Sequence, residues 1–190
     1  MNIGIYIYDN AEVLDFSGPF EVFTTAKRVA RNDWNVFFVA ATDSMVKARG
    51  NFLVHPHYTV DNHPAIDVLI VAGGVHTEEV KNLDVINWIS KIADSSRFVA
   101  SVCTGAFLLA EAGLLNGLSV TTHWEDIPEL KSGYPELRVI ADKRWISEGK
   151  FVTSGGISSG IDMSLFLVSE LSSIELAEKT ARQMEYHWQR

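Results

Sequence analysis

A chain of 190 residues, 47% of them hydrophobic, can bury one sizeable core, so we expect a single domain over residues 1–190. Its 16 basic and 24 acidic side chains give a net charge of −8, which argues against nucleic-acid and anionic-membrane partners and leaves small molecules or proteins. The single cysteine excludes an internal disulfide, and MNIGIYIYDN has neither a basic leader nor a membrane-length apolar run, so we expect a cytoplasmic protein.

The first half of the chain alternates predicted strands and helices. In chain order these are strand IGIYIY, helix GPFEVFTTAKRVA beginning at Pro19, strand WNVFFVAA, a hairpin-like pair in MVKARGNFLVHPHYTV, strand AIDVLIVAGG and helix LDVINWISKIAD. The last strand is the clearest, because its apolar run is continuous and two glycines stop it.

The second half continues the alternation. It contains strand RFVASVC, helix TGAFLLAEAGLL with a stop at Asn116-Gly117, short strands in LSVTTHW, LRVIAD, RWISEG and KFVTSGG, and closing helices GIDMSLFLVSELS and SIELAEKTARQMEY. Nearly continuous apolar strands that alternate with helices are typical of a mainly parallel sheet covered on both faces. We therefore predict a three-layer α/β/α sandwich.

Several unusual segments directly follow predicted strands. They are the loop that holds Asp15, the Gly73-Gly74 pair, Cys103-Thr104, and the segment from Thr153 to Gly156. In a parallel sheet the carboxyl ends of the strands share one edge, and ligands bind there. The sequence therefore predicts one site that these segments form together.

Cys103 is the main candidate within this site. A thiol at the first turn of a helix lies near free backbone N–H groups and the positive end of the helix dipole, which favour thiolate and lower the pKa from about 8.5. A lone cysteine is more often buried and inert. The strand-Cys-Thr-Gly-helix context nevertheless favours a nucleophile, and Gly105 with Ala106 permits the tight turn of a nucleophile elbow.

Gly73, Gly74 and Asp15 each allow two interpretations. The glycines are either simple turn residues or, with the Thr104 N–H, an oxyanion hole that faces the sulfur. Asp15 either caps the helix near Pro19 or lies close to the sulfur as a general acid or base with a pKa raised by burial.

The histidines are less decisive. His123 follows a predicted strand and is either an accessory base, near Gly156 at the same edge of the sheet, or a structural residue held by Glu125 and Asp126. His55 and His57 share one face of an extended segment, but two ligands make a poor metal site. The remaining three show no partner in the sequence, and we expect them at the surface: His63, His76 and His187.

Taken together, four segments resemble the ThiJ/PfpI superfamily, in the cysteine-containing branch with a class I glutamine amidotransferase-like fold. They are VLDFSGPFEVF, LIVAGG, SVCTGAFLLAEAGLLNGLSVTTHW and VTSGGISSGIDMSLFLV. The resemblance covers nearly the whole chain and implies a flavodoxin-like sheet. It is closest to the isonitrile (isocyanide) hydratases and to the sensor-like N-terminal domains of AraC-type regulators.

This resemblance carries expectations about the site. The hydratase pattern, an aspartate before [ST]-Gly-Pro and then Val-Cys-Thr-Gly, is matched by Asp15, Cys103 and Thr104. The resemblance also implies a homodimer whose site lies near the subunit interface, with no metal and no organic cofactor.

This sequence differs from three branches of the superfamily, and each difference makes the activity of that branch less expected. The PfpI-type proteases carry histidine directly after the nucleophile, where this chain has Thr104, so peptidase activity is not expected. The deglycase and glyoxalase-like members use a glutamate where this chain has Asp15. The AraC-type regulators continue into a helix-turn-helix domain, whereas this sequence stops at Arg190, so we expect no direct DNA binding.

The leading hypothesis is hydration of a small carbon–nitrogen substrate, an isonitrile, to the N-substituted formamide with Cys103 as nucleophile. The alternatives are a non-catalytic module that senses a ligand or the redox state through Cys103, and a glyoxalase-, deglycase- or amidase-like enzyme.

Overall fold

The computed structural model describes residues 1–190, with eleven strands and six helices. The strands are β1 Asn2–Tyr6, β2 Asn35–Ala40, β3 Val46–Ala48, β4 Phe52–Val54, β5 Tyr58–Thr59, β6 Val68–Val71, β7 Phe98–Val102, β8 Ser119–Val120, β9 Arg138–Val139, β10 Trp145–Glu148 and β11 Phe151–Ser154. The helices are α1 Val13–Ala30, α2 Leu83–Ser95, α3 Gly105–Glu111, α4 Ile127–Gly133, α5 Ser159–Leu171 and α6 Ile174–Gln183. None of these helices combines the length and the apolar character that a membrane span requires.

Seven strands form the central sheet in the order β10-β11-β7-β6-β1-β2-β5. All neighbouring strands are parallel except β10 and β11, which form an antiparallel hairpin. Helices α1, α5 and α6 pack against one another, α2 packs against α3, and the sheet lies between these two layers. The central strand β6 is fully buried, as its continuous Val-Leu-Ile-Val run predicts. The predicted α/β/α sandwich with a mainly parallel, flavodoxin-like sheet is confirmed.

Helix α1 begins at Val13, earlier than the predicted start at Pro19. Pro19 lies inside the helix, where it removes one backbone hydrogen bond. The helix continues through it because Phe16 and Val22 are buried in the core on either side. Asp15 is therefore in the first turn of a helix and not in a loop, which corrects the sequence-based prediction.

Two other elements differ from the prediction. Helix α3 ends at Glu111, before the predicted stop at Asn116, because Gly113 turns the chain with φ 71°. The segment with Pro128 forms helix α4, which was not predicted; Pro128 is tolerated there because first-turn N–H groups need no helical partner. Strand β8 pairs with β9 in a small separate sheet.

The residues after α6 fold back onto Asp162, a fully buried side chain in α5. The guanidinium of Arg144 forms an ion pair with Asp162, and its Nε–H donates to Oδ2 at 2.6 Å. The hydroxyl of Tyr186 donates to the same carboxylate at 3.1 Å, as does the backbone N–H of Gln189 at 2.9 Å. The end of the chain is thereby fixed to the helix that follows β11.

Candidate functional site

Cys103 lies at a sharp turn between β7 and α3. Its φ of 56° is in the left-handed region, which few non-glycine residues adopt. Three hydrogen bonds hold the turn: the Cys103 N–H donates to the carbonyls of Ser154 at 3.2 Å and Gly155 at 3.3 Å, and the Thr122 hydroxyl donates to the Cys103 carbonyl at 2.8 Å. The sulfur is therefore presented by a constrained backbone, as in a nucleophile elbow.

Asp15 reaches the same point from the first turn of α1. Its side chain is fully buried, and Oδ1 accepts the backbone N–H of Ile157 at 3.1 Å. Oδ2 is buried without a hydrogen-bond partner of normal length, and the Cys103 thiol and the Asp15 carboxyl group are near enough to shift each other's pKa. A Cβ added to Gly73 would lie 2.8 Å from Asp15 Oδ2 and 2.7 Å from Cys103 Cβ, so the two side chains meet directly above this glycine.

The two acidic groups share one dry environment. Burial raises the pKa of Asp15 to about 7, and the negative charge of Glu12 adds to this effect. Burial also raises the pKa of the Cys103 thiol well above its usual range, with a further contribution from the Asp15 carboxylate. The expectation that the helix end favours thiolate is wrong, because desolvation by burial outweighs the nearby Thr104 N–H. The resting pair is a thiol beside a carboxyl group that titrates near neutral pH.

The Thr104 hydroxyl hydrogen-bonds the loop that follows β6. Its Oγ1 donates to the Gly74 carbonyl and accepts the Gly74 N–H, both at 2.8 Å. The hydroxyl thus ties the loop after β6 to the elbow and does not hydrogen-bond Asp15 or the sulfur. The Gly74 N–H is already used in this arrangement, so it is not free to stabilise negative charge. The Thr104 N–H is the backbone donor that remains beside the sulfur.

His123 is a second titratable side chain close to the sulfur. Its Nδ1 is 3.3 Å from Asp126 Oδ2 and 3.8 Å from Glu125 Oε2. Its ring packs against Gly156, where a Cβ would lie 2.1 Å from His123 Cδ2. A ring nitrogen of His123, the Cys103 sulfur and an oxygen of Asp126 all lie within 4.8 Å of one another. Gly156 contributes the space that this ring occupies.

Cys103, Thr104 and His123 line a cavity of about 290 Å³, large enough for a small substrate. Sequence reasoning missed four of its other lining residues: Glu12, Arg49, His76 and Ile157. Arg49 comes from the turn between β3 and β4 and forms an ion pair with Glu12 at 3.5 Å. His76 is buried, not at the surface as expected, because its ring stacks on Phe107 at 4.1 Å.

The other histidines lie outside this cavity. The Nδ1 atom of His57 accepts the Phe38 N–H at 3.0 Å, which supports the strand edge and leaves no pair of free imidazoles with His55. His63 is half-buried and accepts from Trp88 Nε1 at 2.8 Å, so the surface position predicted for it is only partly correct. His187 is exposed, as expected.

Gly73 offers a direct test of how tightly the site is packed. We expect Gly73→Ala to lower the free energy of unfolding by about 2 kcal/mol or more, because the new methyl group would overlap the elbow. Its Cβ would lie 2.6 Å from the Thr104 nitrogen as well as close to both acidic side chains. Gly133→Ala is the matched control, since nothing lies within 4 Å of that position. Thermal unfolding measures both, and equal melting temperatures for the two variants would refute the packing argument.

Comparison with known proteins shows similarity along the whole chain. The profile of the DJ-1/PfpI family matches residues 1–170. The isonitrile hydratase of Pseudomonas putida is 33% identical over 191 residues, which cover 98% of this chain and 78% of that protein. The HTH-type transcriptional regulator GbdR of Pseudomonas aeruginosa is 26% identical over 186 residues, covering 97% of this chain but only 50% of the regulator.

Solved structures show the same fold. A THiJ/PfpI family protein from Pseudomonas syringae superimposes with a TM-score of 0.89 at 23% identity, covering 100% of this chain and 76% of the other. Drosophila melanogaster DJ-1beta gives a TM-score of 0.85 at 18% identity, covering 98% of each chain.

Proposed function

Because the chain belongs to the DJ-1/PfpI family, we propose that it is a cysteine-dependent enzyme that hydrates a small isonitrile to the N-substituted formamide. The observation that carries this proposal is the proximity of the Cys103 thiol to the buried Asp15 carboxyl group, which titrates near neutral pH. The 33% identity to the Pseudomonas putida isonitrile hydratase supports the choice of substrate class. We place the enzyme in the cytoplasm as a homodimer that acts on small molecules and not on nucleic acid.

The first chemical step forms a carbon–sulfur bond. The Asp15 carboxylate accepts the thiol proton while the Cys103 sulfur attacks the terminal isonitrile carbon. The carbon then carries an electron pair, and Asp15 returns the proton to it, which gives a thioimidate with the connectivity S–CH=N–R. No oxidant or cofactor is consumed. The Thr104 N–H, which lies beside the sulfur, stabilises negative charge there during the transfer.

The second step uses one water molecule. The Asp15 carboxylate takes a proton from water while the water oxygen adds to the thioimidate carbon. Asp15 then passes this proton to the thioimidate nitrogen. The resulting tetrahedral intermediate loses its hydroxyl proton to Asp15 and breaks the carbon–sulfur bond. Formamide leaves, and the sulfur recovers its proton from Asp15, so the enzyme returns to its starting state.

The direct test is turnover by the purified protein. An alkyl isonitrile is incubated with it, and the formamide is followed by NMR against a reaction without protein. We expect one formamide for each isonitrile consumed over many turnovers. Formation of formamide at the rate of the protein-free reaction would contradict the proposed activity.

A ligand-sensing role is the second candidate, and the similarity to GbdR over 97% of this chain favours it. Saturable isonitrile binding without turnover would support this role over catalysis. Redox sensing through Cys103 has less support, because thiolate is the form that oxidises and burial holds this sulfur as a thiol.

Charge around the cavity predicts a preference among substrates. Glu12, Glu125 and Asp126 line it together with only one cation, Arg49. We expect an isonitrile with a distal ammonium group to have a kcat/KM several-fold higher than one of equal size with a carboxylate. The Glu125→Lys variant should reduce this ratio by about tenfold at low salt, with a smaller change at high salt. Glu129→Lys, in α4 and outside the cavity lining, is the control. An unchanged ratio in Glu125→Lys would show that cavity charge does not select substrates.

A further inference from the structure

Two side chains beside the Cys103 sulfur, those of His123 and Asp126, are not used by the proposed hydration. The Cys103 sulfur, a ring nitrogen of His123 and a carboxylate oxygen of Asp126 lie within 4.8 Å of one another and line the same cavity. Thiolate, imidazole and carboxylate are ligand types that Zn²⁺ takes in proteins. We propose that Cys103, His123 and Asp126 form a Zn²⁺ site that reversibly blocks the nucleophile.

The spacing of the nitrogen and oxygen ligands fits this ion. His123 Nδ1 and Asp126 Oδ2 are 3.3 Å apart. Two nitrogen or oxygen ligands at about 2.0 Å from a tetrahedral zinc ion are separated by about 3.3 Å. The sulfur lies within 4.8 Å of both atoms, and a tetrahedral zinc site needs about 3.5 Å, so each separation must shorten by no more than about 1.3 Å.

The surroundings supply the remaining needs of a metal site. Glu125 Oε2 lies 3.8 Å from His123 Nδ1 and lines the cavity, so it provides a fourth ligand, or a water molecule takes that position. The contact with Gly156 fixes the orientation of the His123 ring, which reduces the ordering that binding requires. The excess of carboxylates over cations around the cavity favours a divalent ion.

Binding is an exchange without redox change. The zinc–sulfur bond forms, and the Cys103 thiol proton passes to water. The sulfur electron pair that would attack an isonitrile is then held by the metal, so zinc and substrate exclude each other. Only this competition rests on the proposed function, because the metal site itself depends on the three ligands alone.

Cobalt is a suitable probe because Co²⁺ accepts the same ligands and a thiolate–cobalt bond absorbs in the near ultraviolet. The purified protein, first treated with a chelator, is titrated with Co²⁺ and then with Zn²⁺. We expect one Co²⁺ per chain with a charge-transfer band, and loss of the band when zinc displaces cobalt. His123→Gln and Asp126→Asn should each weaken Zn²⁺ binding by about tenfold or more. The matched controls are His187→Gln and Asp61→Asn, at exposed positions outside the cavity lining.

Two results would overturn the site: no charge-transfer band in the wild-type protein, or zinc affinity unchanged in both His123→Gln and Asp126→Asn. Circular dichroism confirms folding of each variant, and Asp126→Asn keeps the test valid if the loss of the packed His123 ring disturbs the fold. Isonitrile turnover is measured separately. A cobalt band without turnover would remove the hydratase proposal and leave the metal site. Turnover without a band would remove the metal site and leave the hydratase proposal.

Discussion

Replacing Cys103 with serine should reduce isonitrile turnover by on the order of 10⁴-fold or more, close to the uncatalysed rate. Serine has nearly the same size, but its hydroxyl is far less acidic than a thiol, so Asp15 cannot take its proton at neutral pH. The measurement is kcat/KM for formamide release in chelator-treated protein, beside the wild type.

The fold itself should tolerate this change. Serine can keep the backbone hydrogen bonds of Cys103 to Ser154 and Gly155, because they involve no side-chain atom. We expect a melting temperature within a few degrees of the wild type. In the wild type, one iodoacetamide adduct should abolish turnover, since Cys103 is the only cysteine in the chain. A folded Cys103→Ser protein with more than a small fraction of wild-type turnover would remove the sulfur from the mechanism.

Replacing Asp15 with asparagine should have opposite effects on activity and stability. Asparagine still accepts the Ile157 N–H but cannot take the thiol proton, so we expect kcat/KM to fall by about 10²- to 10⁴-fold. In the wild type, kcat/KM should decline as the pH falls through about 7, because the carboxylate is the active form. The residual activity of the variant should lack this dependence.

The gain in stability follows from the raised pKa. Burial raises the pKa of Asp15 from 3.8 to about 7. Between these values the unfolded chain loses the proton while the folded protein keeps it, so the free energy of unfolding declines as the pH rises. This decline reaches up to about 4 kcal/mol by pH 8 and is absent near pH 4. Asparagine carries no charge, so the variant should exceed the wild type in stability at pH 8 and match it near pH 4.

Melting temperatures at both pH values check this expectation. At pH 8 we expect the Asp15→Asn variant to melt up to about 8–16 °C above the wild type. Asp33→Asn is the matched control. Asp33 is exposed, so its substitution should change neither kcat/KM nor the melting temperature at either pH. A variant that is less stable than the wild type at pH 8 would show that the Asp15 carboxylate does not destabilise the fold.

The sheet could be predicted from sequence because its strands are buried on both faces. The Val68–Val71 run has no polar residue, and Gly73 with Gly74 marks its end, so its type and limit are both local properties. The start of α1 could not be predicted in this way. Pro19 indicates a first turn, but the burial of Phe16 against Phe38, with ring centroids 5.5 Å apart, extends the helix to Val13. That contact joins segments far apart in the chain.

In the candidate site, too, some properties follow from the sequence and others depend on distant packing. The approach of Asp15 to Cys103 could be predicted, because parallel strands bring their carboxyl ends to one edge of the sheet. The acidity of the thiol could not, since the helix end acts locally whereas desolvation depends on everything packed around the cavity. The sequence predicts His76 at the surface because nothing in its own segment reveals the Phe107 ring on which it stacks.

The hydrogen bond between Asp15 and the Ile157 N–H joins residues 142 positions apart. During synthesis the carboxyl group is made early, yet the backbone that orients it is made only after strand β11. Contacts of this span close late, because a long loop must be ordered before they form. A growing chain therefore carries an unoriented acid, and later a solvated thiol that burial has not yet made less acidic. The proposed pair of acid and thiol is complete only once nearly the whole polypeptide has folded.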